Sequence, residues 1–349
     1  MSPRSGIDQI SPLTINRRDS TARRVVPDRD VLCAHGNVDA ARTAGRTSSL
    51  RAIIHADDCG LTAGITDGII ACHDRGAVQR VSVIVNGPGW DHAVAALQQR
   101  PHLGVVLHIN LFEGVPLSPP SEIDLLVGRD GRFHRSFGAL WVAGYGPTAE
   151  RLRAQIRLEL ARQLDRFVTA FGERGFVSVD GHVHFHMLPP VLDVLMALCQ
   201  DYGIRAMRLP RERFPWPPTT AALPSIPNVA KAVVLRSLSR RALHRLDARG
   251  VHTTDAFVGV LETGRMTLDG VRAALNRLRA AAVTGEVEVL FHPGRARADE
   301  AAVWVDRPGL QMYYRSEERE REGDLLRSAA FAEMIREFTP GMSAGEDGR

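Results

Sequence analysis

The chain has 349 residues, of which 44% are hydrophobic and 24% are charged, an ordinary composition for a soluble globular protein. No apolar run reaches the roughly 20 residues that cross a bilayer, which excludes a transmembrane helix. The net charge is +4, but the 44 basic residues comprise 43 arginines and one lysine, scattered among 40 acidic residues without a basic stripe interleaved with aromatic residues, so we expect no nucleic-acid partner.

The sequence favours one α/β domain with polar ends. Residues 1–49 are polar, without the apolar segment of a secretory signal, and predict a disordered N-terminal extension. The domain is predicted at 50–338, followed by a flexible tail at 339–349. A reducing, cytoplasmic location is expected because neither a C-x-x-C pair nor a disulfide-like spacing occurs among Cys33, Cys59, Cys72 and Cys199. A homo-oligomer is compatible with the sequence, which leaves the oligomeric state open.

From Leu50 onwards apolar β-rich runs alternate with helical patterns, which is typical of βαβ units and a parallel sheet. Helices are predicted after the capping residues Thr62 and Thr148, at Pro189, and over Glu318–Phe338. Seven strands are predicted at 51–54, 81–85, 103–107, 176–179, 204–208, 256–260 and 287–291. This α/β pattern predicts a (β/α) barrel-like fold related to the TIM barrel with about seven parallel strands, and a doubly wound open sheet is the alternative.

Two long polar segments interrupt the alternation, at 113–147 and at the Pro-rich 210–227. A loop longer than about 15 residues inside a compact domain is usually functional. The first segment follows a strand that ends in His-x-Asn. We therefore expect these segments to face the substrate and to set its specificity.

Polar side chains follow five of the predicted strands at the point where each strand ends. Both barrels and open α/β sheets place their active sites beyond the carboxyl ends of parallel strands. A single polar residue at a strand end is compatible with a turn or with a buried side chain whose hydrogen bonds are satisfied. Polar residues at five strand ends together favour a catalytic centre. The residues are Asp57, Asp58, Asn86, His108, Asn110, Asp180, His182, His184 and His292.

Asp57 and Asp58 are adjacent, and neighbours on an extended chain point to opposite sides. A turn permitted by Gly60 can bring both carboxylates to one pocket, where one binds metal and the other stays free as a base. A carboxylate with two neutral imidazoles leaves open positions on Zn²⁺, Mn²⁺, Ni²⁺ or Mg²⁺ for water and a substrate carbonyl. The sequence thus predicts one divalent ion without fixing its identity.

The run from 180 to 186 places a polar residue at every second position, and on an extended backbone all four side chains would share one face. We expect His182 to bind the metal and His184 to lie behind the ligands or contact the substrate. Asp180 is expected to orient an imidazole through its N–H. His186 is expected to be structural.

His292 precedes Pro293-Gly294 at a strand end and is a candidate general acid with a pKa close to the operating pH. A loop histidine is the alternative interpretation. Arg208 is a further candidate for binding a substrate oxygen, and Asn86 and Asn110 are also assigned to substrate binding.

These motifs resemble the YdjC-type carbohydrate deacetylases, a family that includes chito-oligosaccharide deacetylases and a hopanoid-biosynthesis-associated branch. The resemblance covers about Leu50 to Phe338, and the run DYGIRAMRLPRE at 201–212 looks most like the hopanoid-associated branch. It rests on HADDCGLT at 55–62, VNG at 85–87, LHINLFEG at 107–114, DGHVHFHMLP at 180–189 and HPG at 292–294.

The resemblance implies a barrel-like fold, a divalent metal, and removal of an N-acetyl group from an amino sugar or glycoconjugate. Carried over by motif, the metal ligands are Asp58, His108 and His182, the base is Asp57 and the acid is His292. Cys59 departs from the family pattern, which usually has Phe there, and this bears on packing beneath the metal or on substrate fit.

Two rival functions remain open. Metal-dependent phosphoesterases and amidohydrolases tend to place an H-x-H pair on the first barrel strand, whereas this strand offers Asp57-Asp58. A non-catalytic sugar- or metal-binding module needs neither the spare Asp57 nor His292.

Overall fold

Seven parallel strands form a single curled sheet in a computed structural model that describes residues 49–175, 177–213 and 225–339. The order across the sheet is β5-β4-β3-β2-β1-β7-β6. All seven predicted strands are present, with shifted ends. They are β1 (Leu50–Cys59), β2 (Arg80–Val83), β3 (Gly104–Ile109), β4 (Val177–Gly181), β5 (Ile204–Met207), β6 (Ala256–Val258) and β7 (Gly285–Phe291).

The two edges of this sheet approach each other. His252 forms a parallel bridge with Ala206 of β5, and β6 begins only four residues later at Ala256. Four extended residues span at most about 14 Å, whereas the edges of a flat seven-stranded sheet lie about 29 Å apart. The sheet therefore curls into an incomplete barrel with β1 between β2 and β7. The predicted barrel-like fold is confirmed, and the open-sheet alternative is wrong.

Helices follow the strands along the chain. Thr62 caps the first helix as predicted, because its side chain accepts a hydrogen bond from the backbone N–H of Ile65. The helices within the described residues are α1 (Ala63–Asp74), α2 (Trp90–Gln98), α3 (Phe137–Ala143), α4 (Ala149–Phe171), α5 (Pro189–Leu198), α6 (Ile226–Asp247), α7 (Leu268–Ala280), α8 (Pro308–Tyr314), α9 (Glu317–Arg327) and α10 (Ala329–Arg336).

The prediction of one final helix over 318–338 is wrong. Ser328 separates α9 from α10 with an extended backbone, and its hydroxyl accepts a hydrogen bond from the N–H of Phe331. Serine competes in this way with the helical backbone and favours a cap over a helix interior. Among the described helices, none is both long and apolar enough to cross a membrane.

The predicted terminal segments, 1–49 and 339–349, lie outside the described residues apart from Ser49 and Thr339, as does 214–224 of the Pro-rich segment. The other predicted substrate-facing segment, 113–147, is described. It carries a short 3-10 turn (Pro120–Glu122) and α3, so this segment, read as a long loop from the sequence, contains structure of its own.

Candidate metal-dependent active site

A β-bulge in β1 brings Asp57 and Asp58 to the same rim of the sheet. Ala56 of β1 pairs with Val81 of β2, and the next pair is Cys59 with Val83. Between these two pairs β1 advances by three residues and β2 by only two. The extra residue bends the strand and increases its twist. Asp58 adopts φ +74°, a left-handed conformation that residues other than glycine rarely adopt and that is often found at functional sites. The two carboxylates are therefore brought together by a bulge within the strand, whereas the sequence predicted that a turn at Gly60 would do so.

Asp58, His108 and His182 form a buried cluster at this rim. Asp58 Oδ1 lies 3.1 Å from His182 Nδ1 and 3.8 Å from His108 Nε2, and the three donor atoms lie within 4.8 Å of one another. A tetrahedral ion with bonds of about 2.1 Å holds its donors about 3.4 Å apart. The carboxylate oxygen and the two imidazole nitrogens therefore fit a divalent ion.

His108 is oriented by the carboxylate of Asp180. Its Nδ1 lies 2.6 Å from Asp180 Oδ1, while Asp180 Oδ2 accepts hydrogen bonds from Ser82 Oγ at 2.5 Å and Arg208 Nη2 at 2.7 Å. Because an ionised carboxylate only accepts, His108 Nδ1 carries the proton. The lone pair of Nε2 is then free to face Asp58 and a metal ion, as expected for a histidine ligand held by a carboxylate.

His182 contacts carboxylates on both sides, Asp58 at Nδ1 and Glu113 Oε1 at 2.8 Å from Nε2. Burial alone would lower the pKa of His182, but hydrogen bonds to these two groups raise it to about 10. A metal ion at Nδ1 would thus replace a proton, which makes metal affinity dependent on pH. The sequence reasoning did not single out Glu113.

The prediction that Asp180 to His186 is extended and presents one shared face is wrong. β4 ends at Gly181, and His182–Met187 forms 3-10 turns in which Val183 and His184 have φ of +51° and +60°. Left-handed residues break the two-residue period of a strand. His182 is part of the buried cluster and Asp180 contacts it through His108, but the remaining histidines of the run diverge from it.

His184 and His186 lie behind the cluster. His184 is buried with its ring edge-on to Phe257, at 6.3 Å between ring centroids, and burial lowers its pKa well below the usual value. His186 Nε2 donates to the backbone oxygen of Arg208 at 3.1 Å. The burial of His184 leaves little of its side chain for the predicted substrate contact. The hydrogen bond of His186 fits the structural role expected for this residue.

Arg208 clamps Asp57 in the barrel interior. Its Nη1 and Nη2 lie 2.7 and 2.8 Å from the two oxygens of Asp57, and its Nε donates to Glu288 at 2.7 Å. Burial alone would raise the pKa of Asp57, but Arg208 holds it well below the usual value. The guanidinium is buried among the carboxylates of Asp57, Asp180 and Glu288. This position does not fit the predicted contact between Arg208 and a substrate oxygen.

Asn110 and Asn86 build the loop after β3. The side-chain oxygen of Asn110 accepts from the N–H groups of Phe112 and Glu113, and its amide donates to the backbone oxygen of Glu113 at 2.8 Å. Asn86 donates to the backbone oxygen of Val115 at 2.9 Å. Asn110 is buried, and both polar groups of its side chain form hydrogen bonds within the turn. The predicted substrate contact of Asn110 therefore does not fit the structure.

His292 stands at the end of β7, where its backbone N–H donates to Glu322 at 2.6 Å. Burial lowers the pKa of its ring to about 4, although Asp58 and Asp57 attract the charged form. This differs from the predicted pKa close to the operating pH, because the desolvation of the ring outweighs those attractions.

Arg319 connects the His-Pro-Gly turn to the buried cluster of Asp58, His108 and His182. Fully buried, it donates from Nη1 to Asp58 Oδ2 at 2.8 Å and from Nε to the backbone oxygen of Gly294 at 2.7 Å. Burial would raise the pKa of Asp58, but Arg319 is the first of several groups that lower it. Nothing in the sequence singled out Arg319, since it lies in the charged run EEREREGD of α9.

Gly68 lets α1 pack directly on that turn. A Cβ at Gly68 would lie 2.4 Å from Gly294 Cα. We expect Gly68→Ala to lower the free energy of unfolding by about 1–3 kcal/mol, because the added methyl group overpacks this contact. Gly138→Ala in α3 is the control, because its Cβ would meet nothing within 4 Å. Urea unfolding checks both variants, and equal stability would contradict the packing argument.

Lys231, the only lysine of the chain, lies on α6 and is half-buried. Burial lowers its pKa, whereas Asp57 and Asp58 attract its ammonium. The same ammonium contributes to the low pKa of His184 and of His292. Among the residues that the structure describes, no hydrogen-bond or ion-pair partner is found for it, and its attraction to Asp57 and Asp58 indicates that it lies near the rim.

Cys59 lies behind the two aspartates in the hydrophobic core. Burial raises the pKa of its thiol to about 12, and its Sγ contacts the hydroxyl of Thr66 at 4.0 Å. A protonated thiol is a poor metal ligand. The departure from Phe therefore concerns packing beneath the cluster and adds no metal ligand.

Comparisons with known proteins support the sequence resemblance. The profile of the family described as YdjC-like protein matches residues 51–337. The chain is 34% identical to a Homo sapiens protein named Carbohydrate deacetylase over 250 residues, 70% of this chain and 75% of the relative. It is 37% identical to Chitooligosaccharide deacetylase of Serratia marcescens over 160 residues, 46% of this chain and 59% of the relative.

A solved structure shares the fold. A candidate cellobiose-phosphate cleavage protein from Enterococcus faecalis V583 superimposes with a TM-score of 0.60 at 20% identity. The superposition covers 83% of this chain and 95% of that chain. At this identity the likeness concerns the fold alone.

Proposed function

Because the chain belongs to the YdjC-like protein family over residues 51–337, we propose that it is a metal-dependent deacetylase that hydrolyses the N-acetyl group of an amino sugar or sugar conjugate. Relatives named for carbohydrate and chitooligosaccharide deacetylation support this activity. The observation that carries it is the buried cluster of Asp58, His108 and His182 beside a second carboxylate, Asp57.

Asp58, His108 and His182 would hold the divalent ion, which we propose to be Zn²⁺, Mn²⁺, Ni²⁺ or Mg²⁺. Two imidazole nitrogens favour a transition metal, while the carboxylate also suits Mg²⁺. When bound, such an ion supplies an acidic water and polarises a carbonyl oxygen. The other residues of the rim then handle protons and substrate.

Asp57 is proposed as the base that takes the proton of the attacking water. Arg208 keeps this carboxylate ionised and holds both of its oxygens, which fixes its direction while each oxygen retains a free lone pair. A C–O bond to the acetyl carbon forms, and the C–N bond then breaks. His292, whose ring is kept neutral by burial, is proposed to pass the proton that Asp57 takes from the water on to the departing amine, which is more basic than an imidazole and therefore draws it. Acetate and the free amino sugar leave.

Lys231 is proposed to donate a hydrogen bond to a substrate oxygen at the rim. Hydrogen bonds to charged groups contribute about 1.5–3 kcal/mol, so we expect Lys231→Met to lower kcat/KM by about 10- to 100-fold, mainly through KM. Arg241→Met, an exposed change on the same helix, is the control. Steady-state kinetics of acetate release checks the prediction, and unchanged KM in Lys231→Met would contradict it.

The test of the proposed function is product release from purified protein. Acetate would be measured with N-acetylated monosaccharides, oligosaccharides and glycolipids in the presence of Zn²⁺, Mn²⁺, Ni²⁺ and Mg²⁺ in turn. Acetate release from at least one substrate class supports the proposal. Release of phosphate from phosphate esters would contradict the proposal and favour a phosphoesterase. Metal binding without any turnover would favour a non-catalytic binding module.

A cytoplasmic location is also proposed. Cys59, Cys72 and Cys199 are all buried and free of disulfides, as expected for a protein kept in a reducing compartment. Fractionation of cells that produce the protein checks this proposal, and recovery outside the cytoplasm would contradict it.

A further inference from the structure

Glu113 occupies an unusual position for a loop glutamate. It is only 2% exposed and lies four residues after β3, in the turn built by Asn110. Its backbone oxygen accepts from the side-chain amide of Asn110, so both the backbone and the side chain are fixed. This placement aims a buried carboxylate at the far side of His182, away from Asp58.

Three donors converge on the carboxylate of Glu113. His182 Nε2 lies 2.8 Å from Oε1, the hydroxyl of Tyr314 donates to the same oxygen at 2.5 Å, and the indole N–H of Trp304 donates to Oε2. An indole N–H can only donate. The carboxylate oxygens of Glu113 accept the hydrogen bonds from Tyr314 and Trp304. His182 therefore directs Nε2–H to Glu113 and leaves Nδ1 for the candidate ion, which would replace the proton that Nδ1 shares with Asp58.

The segment after β7 anchors this arrangement. The rings of Trp304 and Tyr314 are stacked, with centroids 4.5 Å apart and planes inclined by 21°, and both side chains are buried. Arg307 adds a third hydrogen bond, since its Nη1 donates to the backbone oxygen of Phe112 at 2.9 Å. Three hydrogen bonds from one segment, from Trp304, Arg307 and Tyr314, thus hold the loop that carries Glu113.

We propose that Glu113 is a positioning residue that fixes the tautomer and ring orientation of His182, with Trp304 and Tyr314 as its anchors. This inference rests on the proposed metal site. Partners behind a histidine ligand typically affect metal affinity by about 10- to 100-fold. Residues from the segment after β7 would therefore control the metal affinity of a ligand that follows β4.

Glu159 offers a matched control within the same protein. It is equally buried, and its carboxylate also holds the insertion by accepting from the backbone N–H groups of Leu117 and Ser118 at 3.1 and 2.8 Å. Its hydrogen bonds do not reach the candidate ligands. If Glu113 served the loop alone, the two glutamates would respond alike to substitution.

The experiment measures Zn²⁺ affinity by competition with a chromophoric chelator for wild type, Glu113→Gln and Glu159→Gln. We expect Glu113→Gln to bind Zn²⁺ about 10- to 100-fold more weakly, with KM for substrate unchanged and kcat partly restored by excess Zn²⁺. Glu159→Gln should bind Zn²⁺ within about threefold of wild type, since it touches no ligand. Equal Zn²⁺ affinity in the two variants would overturn the proposal.

Tyr314→Phe keeps the test decisive if Glu113→Gln does not fold. It removes one donor from Glu113 and leaves the ring stack intact, so we expect a smaller but measurable loss of Zn²⁺ affinity. Wild-type affinity in Tyr314→Phe would then count against the proposal. A wild-type protein that binds Zn²⁺ but releases no acetate would refute the proposed activity alone, because the Zn²⁺ affinities would still test Glu113.

Discussion

Replacing Asp57 by Asn should lower kcat for acetate release by about 10²- to 10⁴-fold, the range that a general base contributes. The amide keeps the shape and one oxygen for Arg208 but cannot take a proton from water. Metal affinity should stay within a few fold of wild type, because Asp57 is proposed as the base and not as a ligand. Steady-state kinetics and Zn²⁺ competition measure the two quantities.

Asp193→Asn is the control for that change. It also converts one carboxylate to an amide, but Asp193 forms an exposed ion pair with Arg245. We expect wild-type kinetics from it. Full turnover in Asp57→Asn would show that another group is the base, and loss of the metal in that variant would make Asp57 a ligand instead.

Replacing Arg208 by Met should lower the free energy of unfolding by about 3–5 kcal/mol, the cost of breaking a buried ion pair from one side. Arg208 is the shared counter-ion of Asp57, Asp180 and Glu288, all of them buried. Without the guanidinium, three buried carboxylates remain close together with no positive charge between them. Urea unfolding at neutral pH measures the loss, and added Glu288→Gln should recover part of it.

The control is Arg151→Met at the surface. Arg151 pairs with Asp124 at 2.6 Å, but both side chains are about half exposed. Exposed pairs of this kind contribute little to stability, because water and salt screen them. Similar losses of stability in Arg151→Met and Arg208→Met would contradict the assignment of Arg208 as the central counter-ion of the barrel.

The fold and the location of the site could be read from the sequence because both depend on local patterns. Alternating apolar runs predicted seven parallel strands, and polar residues at their ends predicted the rim where Asp58, His108 and His182 meet. The bulge could not be predicted, since it depends on the pairing register between β1 and β2. The left-handed turns after Gly181 were missed because the spacing of the histidines is also that of a strand.

Residues that hold the site from behind were harder to find. Arg319 and Tyr314 lie more than 200 residues from Asp58 and Glu113 along the chain, at distances that no sequence period encodes, in and just before a surface-like charged helix. Glu288 did leave a signal, because a charge inside the apolar strand VEVLF must find a buried partner. That partner, Arg208, was expected to contact substrate, since sequence gives residue type but not direction.

The most direct test of the account is acetate release from chelated protein as Zn²⁺ is added back, with wild type and His182→Gln measured in parallel. We expect chelation to abolish acetate release, one Zn²⁺ per chain to restore it in wild type, and His182→Gln to require at least about tenfold more Zn²⁺. Acetate release that survives chelation, or a His182→Gln variant that titrates like wild type, would contradict a metal centre built from Asp58, His108 and His182.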